Sequence, residues 1–212
     1  MTNNLENIKS RLEEVFNRNI PDLFFHVQLI QRKKEVPEIN KNSNVIKSYA
    51  VKNMGYLENK LESEIIPICK LLNARAMINL NPKSFKRVTH AMLRKLSGYI
   101  EDDFYEGAIT KVFDSCASST SIEKLGIDKY WIIDIDTKDE DVLRKAQSIV
   151  NLGEPIIPGY NKIKGMLPTK NGYHLFTTPF NVQSFNKFKD DEQNKLVDVE
   201  IKKDCLTNLF IA

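Results

Sequence analysis

Tyr130-Trp131-Ile132-Ile133-Asp134-Ile135-Asp136 is the stretch on which the reading of this chain turns. Aromatic and β-branched residues dominate it, so it predicts a strand over 130–136. Successive side chains of a strand point to opposite faces, which puts Trp131, Ile133 and Ile135 on one side and Ile132, Asp134 and Asp136 on the other. Two carboxylates roughly 6 to 7 Å apart at the end of a hydrophobic strand repel each other unless a cation lies between them. Hard oxygen donors suit Mg²⁺ or Mn²⁺, which makes Asp134 and Asp136 candidate metal ligands. A purely structural alternative has Asp136 and Thr137 capping a helix that starts near Lys138, with Asp134 solvated at a sheet edge.

Downstream, Leu167-Pro168-Thr169-Lys170-Asn171-Gly172-Tyr173-His174-Leu175-Phe176 predicts an Asn-Gly turn leading into a strand that displays His174. Thr169, Lys170 and His174 beside such a turn suit phosphate binding, although an ordinary hairpin would use the same residues. In Val197-Asp198-Val199-Glu200-Ile201 the alternation recurs, so Asp198 and Glu200 share a face and either completes an acidic site.

Upstream, Leu5, Ile8, Leu12 and Val15 have helical spacing and predict an amphipathic helix over 4–18. Strands are predicted over 23–30 and 45–51, on either side of a polar loop from Arg32 to Asn44. A helix over 56–72 is expected to break or kink at Pro67, and a strand over 74–80 to alternate Arg75, Met77 and Asn79 against apolar residues. The stripe Phe85, Val88, Met92, Leu96 and Tyr99 predicts a long helix over 83–101, flanked by a basic ridge of Lys83, Lys86, Arg87, His90 and Arg94 suited to a phosphate backbone. The Ser/Thr-rich segment Ser115 to Ser121 reads as a hinge. After strand 130–136 the expected order is helix 138–151, strands near 154–157, 163–168 and 172–177, helix 182–188, and strands near 197–201 and 206–211. This alternation is α+β.

Composition narrows the classes. The chain has 212 residues, 42% hydrophobic and 28% charged, which predicts a folded core. Lys and Arg outnumber Asp and Glu by 31 to 28, too small an excess to announce nucleic-acid binding by itself. Cys69, Cys116 and Cys205 form no CxxC pair, which argues against a disulfide framework or structural zinc. With no apolar h-region and no membrane-length apolar run, the expectation is a cytoplasmic protein without a membrane partner. P-loop and GxGxxG signatures are absent.

Taken together, the Asp-x-Asp strand, the small-residue and His strand and the late acid after a hydrophobic residue resemble the three-motif signature of the archaeo-eukaryotic primase superfamily, over about residues 130–212. Thr169 stands where Ser is commoner, and Glu200 where Asp is usual. The resemblance implies a primase-polymerase-like fold, with an N-terminal α/β unit of about 1–115 and a C-terminal RRM-like antiparallel unit of about 122–212 carrying the active site, together one catalytic domain. It implies a nucleotidyltransferase using Mg²⁺ or Mn²⁺, with Asp134, Asp136, His174 and Glu200 catalytic. Asp134 and Asp136 with Glu200 or Asp198 would hold metal, Thr169, Lys170 and His174 would contact nucleotide phosphates, and Arg75 or Lys83 would be the earlier basic residue. The implied partners are nucleoside triphosphates, DNA or RNA, and a helicase or other replication protein; a minimal stand-alone member suits a phage or mobile element, acting in the host cytoplasm.

Two other readings compete. Glu200-Ile201-Lys202 fits the acid-x-Lys pattern of metal-dependent nucleases, in which an upstream Asp shares the metal and Lys202 activates water. A non-catalytic module that binds nucleic acid through its sheet is the third.

Overall fold

The computed structural model describes residues 2–101, 111–120, 126–190, 196 and 198–212. The chain forms an α+β structure of antiparallel sheets and helices, divided into two compact units. The first comprises residues 1–127 and 206–212, the second residues 128–205.

In the first unit, β1 (Thr2–Asn3), β2 (Leu23–Arg32), β3 (Ser43–Val51), β4 (Arg75–Asn79) and β10 (Leu206–Ile211) form a sheet in the order β1-β10-β4-β2-β3, with β5 (Lys83–Ser84) also paired to β2. Helix α1 (Leu5–Phe16) buries the predicted stripe of Leu5, Ile8, Leu12 and Val15, and sets Phe16 edge-on against Phe25 of β2 at 5.3 Å. Helices α2 (Met54–Lys60) and α3 (Ile66–Leu72) are joined by a π-helical segment, Leu61–Ile65. The break or kink expected at Pro67 takes the form of this π-helical interruption just before it, and the helix continues beyond. Pro67 occupies the first turn of α3, directly after the widened segment, where its missing N–H and ring are tolerated.

Helix α4 (Phe85–Glu101) starts on a cap built by Asp22, which accepts from the Lys86 amide at 2.8 Å and from the Ser84 hydroxyl. The Ser-rich segment expected to be a hinge is largely helix α5 (Val112–Ser119), Ser121 lying outside the described residues. Val112, Cys116 and Ala117 bury against Phe24 and Val88, and Thr120 Oγ1 donates to the Cys116 carbonyl at 2.6 Å. Burial of three small apolar side chains outweighs the weak helix preference of serine. The boundary between the units falls instead at Ile127/Asp128.

The second unit runs β6 (Trp131–Ile135), α6 (Glu140–Leu152), β7 (Ile163–Pro168), β8 (Tyr173–Thr177), α7 (Val182–Lys189) and β9 (Val199–Lys202). Its sheet order is β7-β8-β6-β9, all antiparallel, the split β-α-β arrangement with β6 at an inner position. The strand expected near 154–157 is absent: no pairing is made there, and Ile156 and Ile157 are exposed. Ile133 and Ile135, with Leu175 and Val199 of the flanking strands, pack on Ala146, Ile149 and Val150 of α6 and Phe185 of α7. That closes one face of the sheet.

The last strand, expected in the C-terminal unit, pairs with β4 and β1 of the first sheet. Unit 2 is thus an insertion between α5 and β10, and Val197, part of the expected acidic strand, lies outside the described residues.

Gly172 lies in the expected Asn-Gly turn ahead of β8 and meets a steric demand as well. A Cβ on it would lie 1.9 Å from the Ile135 carbonyl and 2.7 Å from that of Thr137. Gly172→Ala should therefore force β8 away from the end of β6 and cost about 1–3 kcal/mol, the usual range for overpacking. Urea unfolding followed by circular dichroism checks this; an unchanged midpoint would show that the strands absorb the methyl group.

Candidate functional site

The face of the second sheet opposite α6 and α7 carries the sequence-predicted chemistry. Strand pairing sets Asp134 directly across from His174 of β8 on one side and from Glu200 of β9 on the other, while Ile132 lies across from Phe176 and Lys202. Residues directly opposite share a face, so three neighbouring strands bring Asp134, His174, Glu200 and Lys202 together. Their separations in sequence are large, which is why β6 must be an inner strand for the cluster to exist.

Asp134 is the hub. His174 Nε2 lies 3.1 Å from its Oδ1, and the Lys202 ammonium donates to Oδ2. Asp134 and His174 are each 8% exposed. Burial pushes the Asp134 carboxyl up, but the bonds from His174 and Lys202 outweigh it and hold the group down at about 2. Burial likewise works against the Lys202 ammonium, yet Asp134, with smaller contributions from Cys205 and Glu200, keeps it above the ordinary lysine range.

Asp136 continues the same face, its amide donating to the Asp198 carbonyl at 2.9 Å, and both side chains are exposed. The capping alternative for Asp136 is overturned: α6 is capped by Asp139, whose side chain accepts from the Asp141 amide at 2.8 Å. Thr137 Oγ1 accepts from the Asp139 amide at 3.2 Å. Thr169 spends its hydroxyl on the turn, accepting from the Gly172 amide at 3.0 Å, and Lys170 is exposed at the turn.

The residues assigned to the N-terminal half behave less uniformly. Arg75 is buried and ion-paired with Glu35 of the loop after β2, which commits its guanidinium locally. Lys83 is 0% exposed and donates to the Thr120 carbonyl at 2.8 Å, so its ammonium ties β5 to the end of α5 and is withdrawn from any phosphate backbone. Lys86, Arg87, His90 and Arg94 are exposed along α4.

The donor chemistry of Asp134, Asp136, Asp198 and Glu200 suits a hard divalent ion, but their placement does not complete a site. Among the described residues no three His, Cys, Asp or Glu side chains converge as a metal-holding group. Both oxygens of Asp134 are engaged, Oδ1 by His174 and Oδ2 by the Lys202 ammonium. From the sequence, Lys202 has a role only in the nuclease reading; its signal is the same-face spacing of Glu200 and Lys202, whose target lies on another strand.

A second polar cleft, for which the sequence carries no motif, lies in the first unit. It encloses about 650 Å³ between β3 and α5 and is lined by Gln28, Ser48 and Asp114 among others. His26 Nε2 lies 3.0 Å from Asp114 Oδ1 at its buried side.

Comparison with protein-family models, with curated proteins and with solved structures finds no match for this chain. Among the described residues no helix is long and apolar enough to cross a membrane.

The grip on Asp134 has a pH signature. Its folded value lies below the ordinary 3.8, so the stabilisation is complete above about pH 4 and is lost as pH falls toward 2. The stability difference between wild type and Asp134→Asn should shrink across that window in urea titrations. A difference independent of pH would show that His174 and Lys202 do not favour the ionised form.

Proposed function

We propose that the open-face cluster of the second unit is the nucleotide-handling site of a primase-polymerase-type nucleotidyltransferase, acting with nucleoside triphosphates on DNA or RNA. The observation that carries this reading is the alignment of His174, Asp134 and Glu200 across three adjacent strands of a split β-α-β sheet. That connectivity is the one expected of an RRM-like catalytic unit, and the three aligned residues come, in order, from the three stretches that resemble the primase signature.

In this reading a primer hydroxyl attacks the α-phosphate of the incoming nucleotide and pyrophosphate leaves. His174, held through Nε2 by a buried carboxylate, is oriented to meet phosphate oxygens, with Lys170 at the adjoining turn as a cationic contact. Asp134 fixes the orientation of the ring. The exposed Lys86, Arg87 and Arg94 of α4 form a separate ridge suited to a nucleic-acid backbone. Mg²⁺ or Mn²⁺ belongs to the proposal as the cofactor, and a helicase or another replication protein as the partner that delivers template; the site of action is the cytoplasm, the host's for a phage protein.

A second reading is favoured by one contact. Glu200 and Lys202 flank Asp134 from a single strand, the acid-x-Lys geometry of metal-dependent nucleases, and Lys202 touches Asp134. The two enzymes rank the residues oppositely. In primer-extension assays with Mn²⁺, His174→Ala should lower incorporation about 10²-fold while Lys202→Ala spares it, by the usual cost of removing one contact to a developing phosphate charge. Strand cleavage lost in Lys202→Ala and kept in His174→Ala would establish the nuclease instead. No product with any nucleotide, together with nucleic-acid binding unchanged in EDTA, would leave a binding module.

The ridge on α4 is tested separately through salt. Replacing Lys86, Arg87 and Arg94 by alanine should weaken binding evenly across sequences and flatten the log–log salt dependence by about one unit for each phosphate that is no longer neutralised. A slope equal to that of the wild type would remove α4 from the interface.

A further inference from the structure

We infer that the polar cleft between β3 and α5 of the first unit is a ligand site in its own right, and that it takes a nucleoside monophosphate with the base inward and the phosphate at the mouth. The inference is independent of the function proposed for the second unit, since every residue it uses belongs to the first.

Two unlike walls enclose the cleft. One is β3, the outer strand of its sheet, which among the described residues pairs with β2 alone; Val45 and Ile46 give this wall apolar surface. On the other wall, Lys111, Asp114, Ser115 and Ser118 recur at three- and four-residue spacing, so they share one face of α5 counted from its N-cap. Phe113 lines the cleft beside them, with the His26 ring edge-on to it at 5.6 Å. At about 650 Å³ the space lies within the usual range for small-molecule sites.

The polar groups give the cleft a direction. Burial raises the Asp114 carboxyl, but His26, then Ser48 and Gln28, outweigh it and keep the group below the ordinary aspartate range. His26 is buried, whereas the Asp114 side chain stays 23% exposed, so a charged acceptor remains open to the cleft. Packing does not call for that charge, because Val112, Cys116 and Ala117 already seat α5 on Phe24 and Val88. At the mouth the sign reverses. Lys111 is exposed there, and Lys95 reaches Ser115 Oγ at 2.5 Å, while Lys47 is committed to Glu64. An anion on the floor would meet the Asp114 carboxylate, so the inward end of a ligand must carry N–H donors and its anionic end must stay beside Lys111 and Lys95. A nucleobase with an exocyclic amine, joined to a phosphate, has both properties. Its amine suits Asp114, the Gln28 carboxamide offers a donor and an acceptor to the rest of the base edge, and the ring suits the slot between Val45, Ile46 and Phe113.

Histidine-selective NMR of the full chain tests this, because the three histidines place one probe at each site: His26 behind this cleft and His174 in the second unit, assigned with His90→Gln and His174→Gln. Cytidine monophosphate should shift the His26 signal saturably, with a Kd below about 1 mM. Uridine monophosphate, which lacks the exocyclic amine, should bind about tenfold more weakly, the cost of one hydrogen bond to a charged group. The surface variant Lys111→Ala should lose about as much for cytidine monophosphate, and Asp114→Asn should erase the preference between the two nucleotides. A His26 signal that neither nucleotide moves, equal affinities for the two, or inorganic phosphate binding as tightly as either would overturn the inference. Should Asp114→Asn not fold, the nucleotide pair on the wild type and Lys111→Ala decide. Movement of His174 alone would overturn this inference and leave the proposed function standing, whereas absence of primer extension would leave the His26 shifts as expected.

Discussion

The second unit depends on the inner position of β6. Because the strand is paired on both sides, its register fixes which residues of β8 and β9 stand beside Asp134, and a slip of one residue would turn the carboxylate toward the helices. The register is itself held by burial: Ile133 and Ile135 are both 0% exposed and pack on α6 and α7, so the apolar side of the strand cannot be exchanged for the polar one. Gly172 adds a steric constraint at the far end, where only a missing Cβ lets β8 approach the last carbonyl of β6. The site is thus specified by apolar packing on the face that contains none of its chemistry.

On the open face, that rigidity is used to hold like charges near one another. Asp134 is buried and ionised, and it stays so because His174 and Lys202 reach it from opposite neighbours. Asp136, Asp198 and Glu200, by contrast, are exposed. The result is one committed carboxylate surrounded by uncommitted ones.

Much of this is legible in the sequence, and the limits have definite causes. The alternation in Trp131 to Ile135 gives the strand, its two faces and the position of Asp134, because a period of two is a local property. His174 and Glu200 emerge in the same way. What periodicity cannot supply is which strands are neighbours, so the contact between Lys202 and Asp134 stays hidden, as does the pairing of β10 with β4. Local signals also mislead where tertiary burial wins. Cys116 and Ala117 turn a serine-rich hinge into a helix. Arg75 and Lys83 look like ligand-binding cations because basic residues on a strand next to a turn usually stay solvated; Glu35 and the Thr120 carbonyl engage them internally instead.

The path of the C-terminal strand changes what the second unit can be. Its first strand follows α5 of the first unit, and only Lys203, Asp204 and Cys205 separate Lys202 from β10, which lies between β1 and β4 of the first sheet. The strand that carries Glu200 and Lys202 is therefore tethered within three residues to a sheet whose partner residues lie more than a hundred positions earlier. In a free C-terminus β9 would be an edge strand prone to fraying, and Lys202 would lose its aim on Asp134. Anchoring β10 in a buried ladder, with Leu209 0% exposed, restrains that fraying through the chain itself.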